Sequence, residues 1–242
     1  MLLLLAACAR PDVSPPADAP GLLLESVTWR QTWETAGITR SAEEWSTTTD
    51  LGYTVTITAG QLVTYNLGLL PCPEASAGWG LLGTAHAAHG PSINATSLTA
   101  PQALDLLALS DATLDTCTFP PARYCSAEAL IARADQHTRG VGGVTPVAGV
   151  SLALTGHWQR GEVRQPFDMT TTLSTSSRAD LDALAPGADA LHAEVTLSLS
   201  PARMFDGIPL AEESEARILR AVLTNLLSSS DPRITLTTRD TP

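Results

Sequence analysis

Lysine is absent from this chain of 242 residues, in which Lys and Arg together number 14, all of them arginine. Acidic residues number 25, so the formal net charge is −11. Nucleic acids and anionic membrane leaflets select basic surfaces, and this shortage of positive charge argues against both as partners. Together with abundant Ala, Pro, Thr and Asp, the absence of lysine is typical of the codon bias of a GC-rich bacterial genome.

Long apolar runs are missing as well. After Leu5, no stretch reaches the roughly 20 apolar residues that a helix needs to cross a bilayer. Any attachment to a membrane therefore has to come from something other than a spanning helix. Beyond a short amino-terminal segment, about 220 residues remain, which suits one large domain or two small ones.

The signatures of common enzymes are also absent. A zinc-protease motif needs Glu directly after its first His, and here Ala87 follows His86. No Gly-x-Ser-x-Gly elbow occurs, and the run Gly140–Gly143 lacks the Lys-Ser/Thr of a phosphate-binding loop. The sequence therefore favours a protein that binds over one that catalyses, and we expect no enzymatic activity.

The amino-terminal apolar run ends in Leu5-Ala6-Ala7-Cys8. This resembles the lipobox of bacterial lipoproteins, in which small residues precede a cut and the cysteine after the cut is acylated. The resemblance implies that residues 1–7 are the remnant of a signal peptide and that Cys8 is the lipidation site. It also implies a cell-envelope location, in the outer membrane or facing the periplasm, with the lipid as the sole membrane attachment.

Residues 9–21 are dominated by Pro, Ala and Asp and show no apolar periodicity. Such a segment cannot bury enough surface to offset the entropy of ordering it, so it stays extended and solvated. We therefore expect a tether over residues 8–21, followed by a single β-rich domain over residues 22–242.

Alternation of apolar and polar residues predicts strands in much of this domain. Glu25–Trp33 alternates, and so does Tyr53–Thr58, which leads through Ala59–Gln61 into Leu62–Leu70 and predicts a hairpin. Further strands are predicted at Gly149–Trp158, Phe167–Leu173, Ala193–Leu199 and Ile234–Thr238, with a turn at Arg160–Glu162. Helices are predicted at Ser126–Asp135 and Ala211–Leu227. The predicted fold is mainly β, an antiparallel β-sandwich with two peripheral helices.

Three cysteines remain once Cys8 is assigned to the lipid. Outside the cytoplasm disulfides persist, so Cys72, Cys117 and Cys125 allow one bridge and leave one thiol. Cys117 and Cys125 are the favoured disulfide candidates, because they flank Thr118–Tyr124, an insert typical of a turn. The sequence leaves open a bridge from Cys72 to either of them.

His86 and His89 lie three residues apart in the segment Gly83–Pro91, among small residues. The glycines favour a loop, in which both imidazoles can converge on one ion, and imidazole is a common ligand of zinc and copper. A thiolate from Cys72 or from the unpaired cysteine would join them, and His157 and His192 are further candidates. The sequence thus predicts a copper or zinc site. The alternative is a structural or partner-binding sandwich without metal, whose partner would be another envelope protein.

Four segments of the chain are similar to a pattern in uncharacterised, β-rich envelope lipoproteins of bacteria. They are Thr49–Ile57, His86-x-x-His89-Gly90, Gly149–Trp158 and Ala202–Ile208. In that group the histidine loop is commonly His-rich, so the resemblance implies a lipid-anchored β domain that handles metal at the envelope.

Overall fold

The computed structural model describes residues 21–72, 95–181 and 192–228 with their side chains, and residues 231–237 by their backbone. Twelve strands, a short 3-10 turn (Pro201–Arg203) and one helix, α1 (Glu215–Ser228), lie wholly within these ranges. The strands are β1 (Leu22–Trp33), β2 (Thr39–Arg40), β3 (Trp45–Thr48), β4 (Thr54–Pro71), β5 (Gln102–Asp105), β6 (Ala112–Ile131), β7 (Arg139–Gly140), β8 (Leu152–Arg160), β9 (Val163–Thr171), β10 (Thr175–Asp180), β11 (His192–Leu199) and β12 (Asp231–Thr237).

These strands belong to one curled, mixed sheet. Its main path runs β12-β11-β1-β6-β4-β3-β2, and the other five strands join it at β4 or β6, directly or through a neighbour. Most pairs are antiparallel, but β1 runs parallel to β11 and β5 parallel to β7. The prediction of a mainly β protein is therefore confirmed, whereas the antiparallel sandwich is not, because the described strands form a single mixed sheet.

Two long strands each pair with different partners along their length. The first half of β4 lies between β3 and β8, and its second half pairs with β6. The first part of β6 pairs with β1, and its last part lies between β4 and β10. Both strands therefore connect separate parts of the sheet, and the apolar side chains of all these parts collect in one main core.

The alternation predicted for β1 is confirmed. Val27, Trp29 and Trp33 are buried on one face, and Gln31 shares that face and is buried too. The Gln31 side-chain oxygen accepts a hydrogen bond from the Thr64 hydroxyl at 3.0 Å. The other predicted strands, at 149–158, 167–173 and 193–199, are confirmed as β8, β9 and β11, and the one predicted from Ile234 is confirmed as β12 as far as Thr237. β8 and β9 pair on either side of the predicted turn.

The hairpin predicted at Ala59–Gln61 is wrong, because β4 continues through these residues. A Cβ atom added to Gly60 would lie 3.0 Å from the Leu106 Cβ and 3.1 Å from the Ala153 carbonyl oxygen. Gly60 therefore lets neighbouring segments approach the strand closely, which is a common role of a glycine inside a strand.

Of the two predicted helices, the second is confirmed, as α1, which begins at Glu215 and packs against β9 and β10. The first is wrong: residues Ser126–Ile131 belong to β6. Helix propensities differ by less than about 0.7 kcal/mol per residue, so pairing along both edges outweighs the alanine content of this segment. No helix within the described ranges is both long and apolar enough to cross a membrane.

Candidate functional site

The predicted lipidation residue Cys8 and the predicted metal ligands His86 and His89 lie outside the described residues. Their roles stay predictions. The structure describes the residues that border both segments. The segment with Cys8 precedes Gly21 in the chain, and the segment with His86 and His89 follows Cys72.

Cys72, directly after β4, forms a disulfide with Cys125 of β6. The favoured bridge between Cys117 and Cys125 is therefore wrong. Both of these cysteines lie on β6, and at roughly 3.3 Å per residue the extended chain between them spans about 26 Å. A disulfide needs Cα atoms within about 7 Å. The predicted turn at Thr118–Tyr124 does not form, because β6 runs through it.

The disulfide also removes Cys72 from the predicted metal site. A metal is bound by a thiolate, and a sulfur already bonded to another sulfur has none to offer. The contribution predicted for Cys72 is therefore wrong for the disulfide-bonded protein.

Cys117 is the remaining thiol of the described chain, and it is buried. Its sulfur donates a hydrogen bond to the Ser97 carbonyl oxygen at 3.1 Å. Burial, and to a lesser degree the negative charge of Asp115, raises the pKa of Cys117 to about 11. The thiol therefore stays protonated at neutral pH, where it is a poor ligand and a poor nucleophile.

His157 and His192 lie on different strands and have their own polar neighbours. The His192 Nδ1 lies 2.8 Å from the Ser26 hydroxyl, and the His157 Nδ1 lies 3.4 Å from the Arg164 guanidinium. Among the residues that the structure describes, no three His, Cys, Asp or Glu side chains gather where an ion would sit. The described chain thus supplies neither histidine with partners for a metal.

Three strands meet beside Gly21, the first residue that the structure describes. Tyr124 of β6 pairs with Leu22 at the start of β1 and with Pro71 at the end of β4. The Arg123 guanidinium donates a hydrogen bond to the Gly21 carbonyl oxygen at 2.8 Å. We call Gly21, Cys72, Arg123, Tyr124 and Cys125 the attachment junction.

Gly21 is the tightest point of the attachment junction. Its φ is +91°, a conformation that favours glycine, and a Cβ atom there would lie 2.2 Å from the Cys72 Sγ and 2.7 Å from the Tyr124 carbonyl oxygen. Reasoning from sequence missed this role. The available signal was a glycine at the change from the Pro-rich segment to the run Leu22–Leu24.

Comparison with protein-family models, curated proteins and solved structures gives no match.

Proposed function

We propose that this protein is a lipid-anchored component of a bacterial cell envelope, in which a β domain held at a membrane surface through acylated Cys8 acts by binding and not by catalysis. The observation that carries the proposal is the Cys72–Cys125 disulfide. Disulfides persist in oxidising compartments outside the cytoplasm, which is where the lipobox resemblance would deliver the chain.

The attachment junction supports the same proposal. A tether of residues 8–21 reaches at most about 45 Å when fully extended, so the domain would stay close to the membrane surface. The tether would end at Gly21, whose carbonyl oxygen is held by Arg123 and whose backbone lies against the disulfide. The strand that carries the anchor is thus fixed to two other strands at its first residues.

The Cys8→Ser variant tests the anchor. We expect it to move from the membrane fraction to the soluble fraction, since a thioether-linked lipid requires the cysteine sulfur and is the attachment proposed. Fractionation of cells followed by immunoblotting measures the change. Cys117→Ala is the matched control, because it removes a different cysteine and should leave the protein with the membranes. A Cys8→Ser protein that still sediments with membranes and needs detergent for release would contradict the proposal.

Metal binding by His86 and His89 is a second proposal, supported by the His-x-x-His spacing in a glycine-flanked segment. With Cys72 in a disulfide and Cys117 buried and protonated, the ligand set would be imidazole-based. Such a set favours copper(II) over zinc in the general affinity order of divalent metals.

His86→Ala and His89→Ala should each remove most of the affinity for copper and zinc at neutral pH and leave the fold intact. His137→Ala, which removes an exposed histidine elsewhere, is the control and should change nothing. Imidazole has an ordinary pKa of about 6.5, so protons should displace the ion as the pH falls from 7 to about 5. Calorimetry that finds no binding of either metal by the unmodified protein would leave partner binding as the remaining alternative.

A further inference from the structure

A cleft of about 380 Å³ opens where β4, β8 and β9 lie side by side in the sheet. It is lined by Thr58, Gly156, His157, Arg164 and Pro166. Three of these residues, Thr58, Arg164 and Pro166, are exposed, which places the cleft on the solvent side of the sheet. Small-molecule sites commonly measure about 300–1,000 Å³, so the cleft has the size of a binding site.

An irregularity in β4 shapes the cleft. The register between β4 and β8 shifts between Ile57 and Ala59, so Thr58 is the extra residue of a β-bulge. Gly156 lies opposite Ile57, and a Cβ atom there would lie 2.0 Å from the Thr56 carbonyl oxygen. β-Bulges are enriched beside active sites, where they change the direction of a side chain. This bulge presents Thr58 at the cleft and requires a glycine at position 156.

Two basic side chains meet in the cleft. The Arg164 Nη2 lies 3.4 Å from the His157 Nδ1. A guanidinium has only donors, so the Nδ1 of the neutral imidazole accepts and the ring proton lies on Nε2. No residue of the described chain bonds to this Nε2, and it is open to solvent, unlike the sealed Nε1 of Trp29. The cleft therefore presents an accessible imidazole N–H beside a guanidinium.

The positive charge of Arg164 is not neutralised by the protein. Within the described ranges, no carboxylate forms an ion pair with its guanidinium or with the His157 ring. Arg30 shows the other arrangement, since its guanidinium pairs with the Glu194 carboxylate at 3.2 Å. The chain has 25 acidic residues and 14 arginines, yet the side chain that contacts the Arg164 guanidinium is another basic group. Such a charge in a cleft favours an anionic ligand.

Asp168 limits the charge that this ligand can carry. It lies four residues beyond Arg164 on β9, on the same face of the strand, and accepts a hydrogen bond from the Thr155 hydroxyl at 3.1 Å. The part of β4 that borders the cleft contributes no charged residue. Asp168 would repel a second negative charge on the ligand, so a monoanion fits better than a dianion. A carboxylate has one charge and two oxygens, which match one guanidinium and one imidazole N–H.

We propose that this cleft binds a small carboxylate. The Arg164 guanidinium donates a charge-assisted hydrogen bond to one carboxylate oxygen, and the His157 Nε2–H donates to the other. The exposed ring of Pro166 lies beside them and offers an apolar contact to the carbon atoms of the ligand. The inference gives the binding domain a class of ligand, but it rests on the cleft alone and is independent of the proposed lipid anchor and of the metal proposal.

The test compares propionate with propionamide, which has a similar size and shape but no charge. The protein is the full chain carrying Cys8→Ser, so that no detergent is needed. Binding is followed at neutral pH and constant ionic strength through the NMR signals of the His157 ring, which are assigned by their loss in His157→Phe. We expect propionate to shift these signals to saturation with a dissociation constant on the order of millimolar, and propionamide to leave them unchanged.

Variants test the two donors separately. Arg164→Gln should weaken propionate binding about tenfold, the factor expected for the loss of one hydrogen bond to a charged group. Arg178→Gln is the matched control, because it removes an exposed arginine of β10 and should leave the affinity unchanged. His157→Phe keeps a ring without the N–H and should weaken binding to a similar extent, followed through the Arg164 Nε–H signal. The thermal unfolding transition of each variant checks its folding.

The proposal is overturned if propionate leaves the His157 signals unchanged, if propionamide shifts them equally, or if Arg164→Gln binds propionate as tightly as Arg178→Gln does. Inorganic phosphate serves as the dianionic probe, and binding of phosphate more tightly than propionate would overturn the assignment to carboxylates. If His157→Phe does not fold, the response of the parent chain and the comparison of the two arginine variants still decide the question.

Discussion

Replacing both Cys72 and Cys125 by serine is expected to lower the free energy of unfolding by about 2–4 kcal/mol. The disulfide joins residues separated by 53 positions in sequence, so it strongly restricts the unfolded chain. In the folded protein it ties the end of β4 to the middle of β6 beside the start of β1. Urea unfolding measures the loss as a lower transition midpoint.

Reduction supplies the internal control for this prediction. A reducing agent should destabilise the unmodified protein by a similar amount and should have no further effect on the double-serine variant. Mass spectrometry without reduction should find Cys72 linked to Cys125, with Cys117 as a thiol. A bridge that contains Cys117, or three free thiols in protein taken from the envelope, would contradict both the pairing and the compartment.

Gly21→Ala is expected to cost about 2–3 kcal/mol of stability. The new Cβ would meet the Cys72 sulfur in a backbone conformation of φ +91°. The chain can escape this contact by detaching the start of β1. That would expose Leu22, which is 1% exposed in the fold, and exposing a leucine costs about 1.5–3 kcal/mol. Denaturant unfolding gives the total loss, and hydrogen exchange at the first residues of β1 shows whether they detach.

Gly143→Ala is the matched control for the contact with the disulfide. Gly143 has the same φ of +91°, but a Cβ atom there would have nothing within 4 Å. Its substitution should therefore cost the backbone strain alone, about 1–2 kcal/mol. Equal losses for the two variants would show that the contact between residue 21 and the disulfide contributes nothing.

Much of the strand content could be predicted from sequence because period-two alternation marks strands with one buried face. β1, β8, β9 and β11 carry this signal, and all four are confirmed. α1 was predictable for the corresponding reason, since its apolar residues recur with helical period. The local apolar pattern was enough to predict an element wherever one of its faces is buried and the other is exposed.

The wrongly predicted turns lie inside β4 and β6, two strands that are longer than the local sequence pattern indicates. Gly60 and the pair Pro120-Pro121 are typical of turns, yet they lie inside β4 and β6, whose course is set by partners far away in sequence. The disulfide was mispredicted for the same reason, since short sequence spacing means proximity only if the chain turns between the cysteines. The attachment junction depends on such a distant contact, because Gly21 lies against Cys72. This arrangement has no local signature in the sequence.

The mass of the amino-terminal peptide of the mature protein tests the proposed lipid anchor most directly. Protein is extracted from membranes with detergent and digested, and the peptide that contains Cys8 is analysed by mass spectrometry. We predict that the mature chain begins at Cys8 and that this residue carries the added mass of covalently bound acyl groups. A peptide that continues through residues 1–7 and has an unmodified thiol at Cys8 would contradict the proposed anchor.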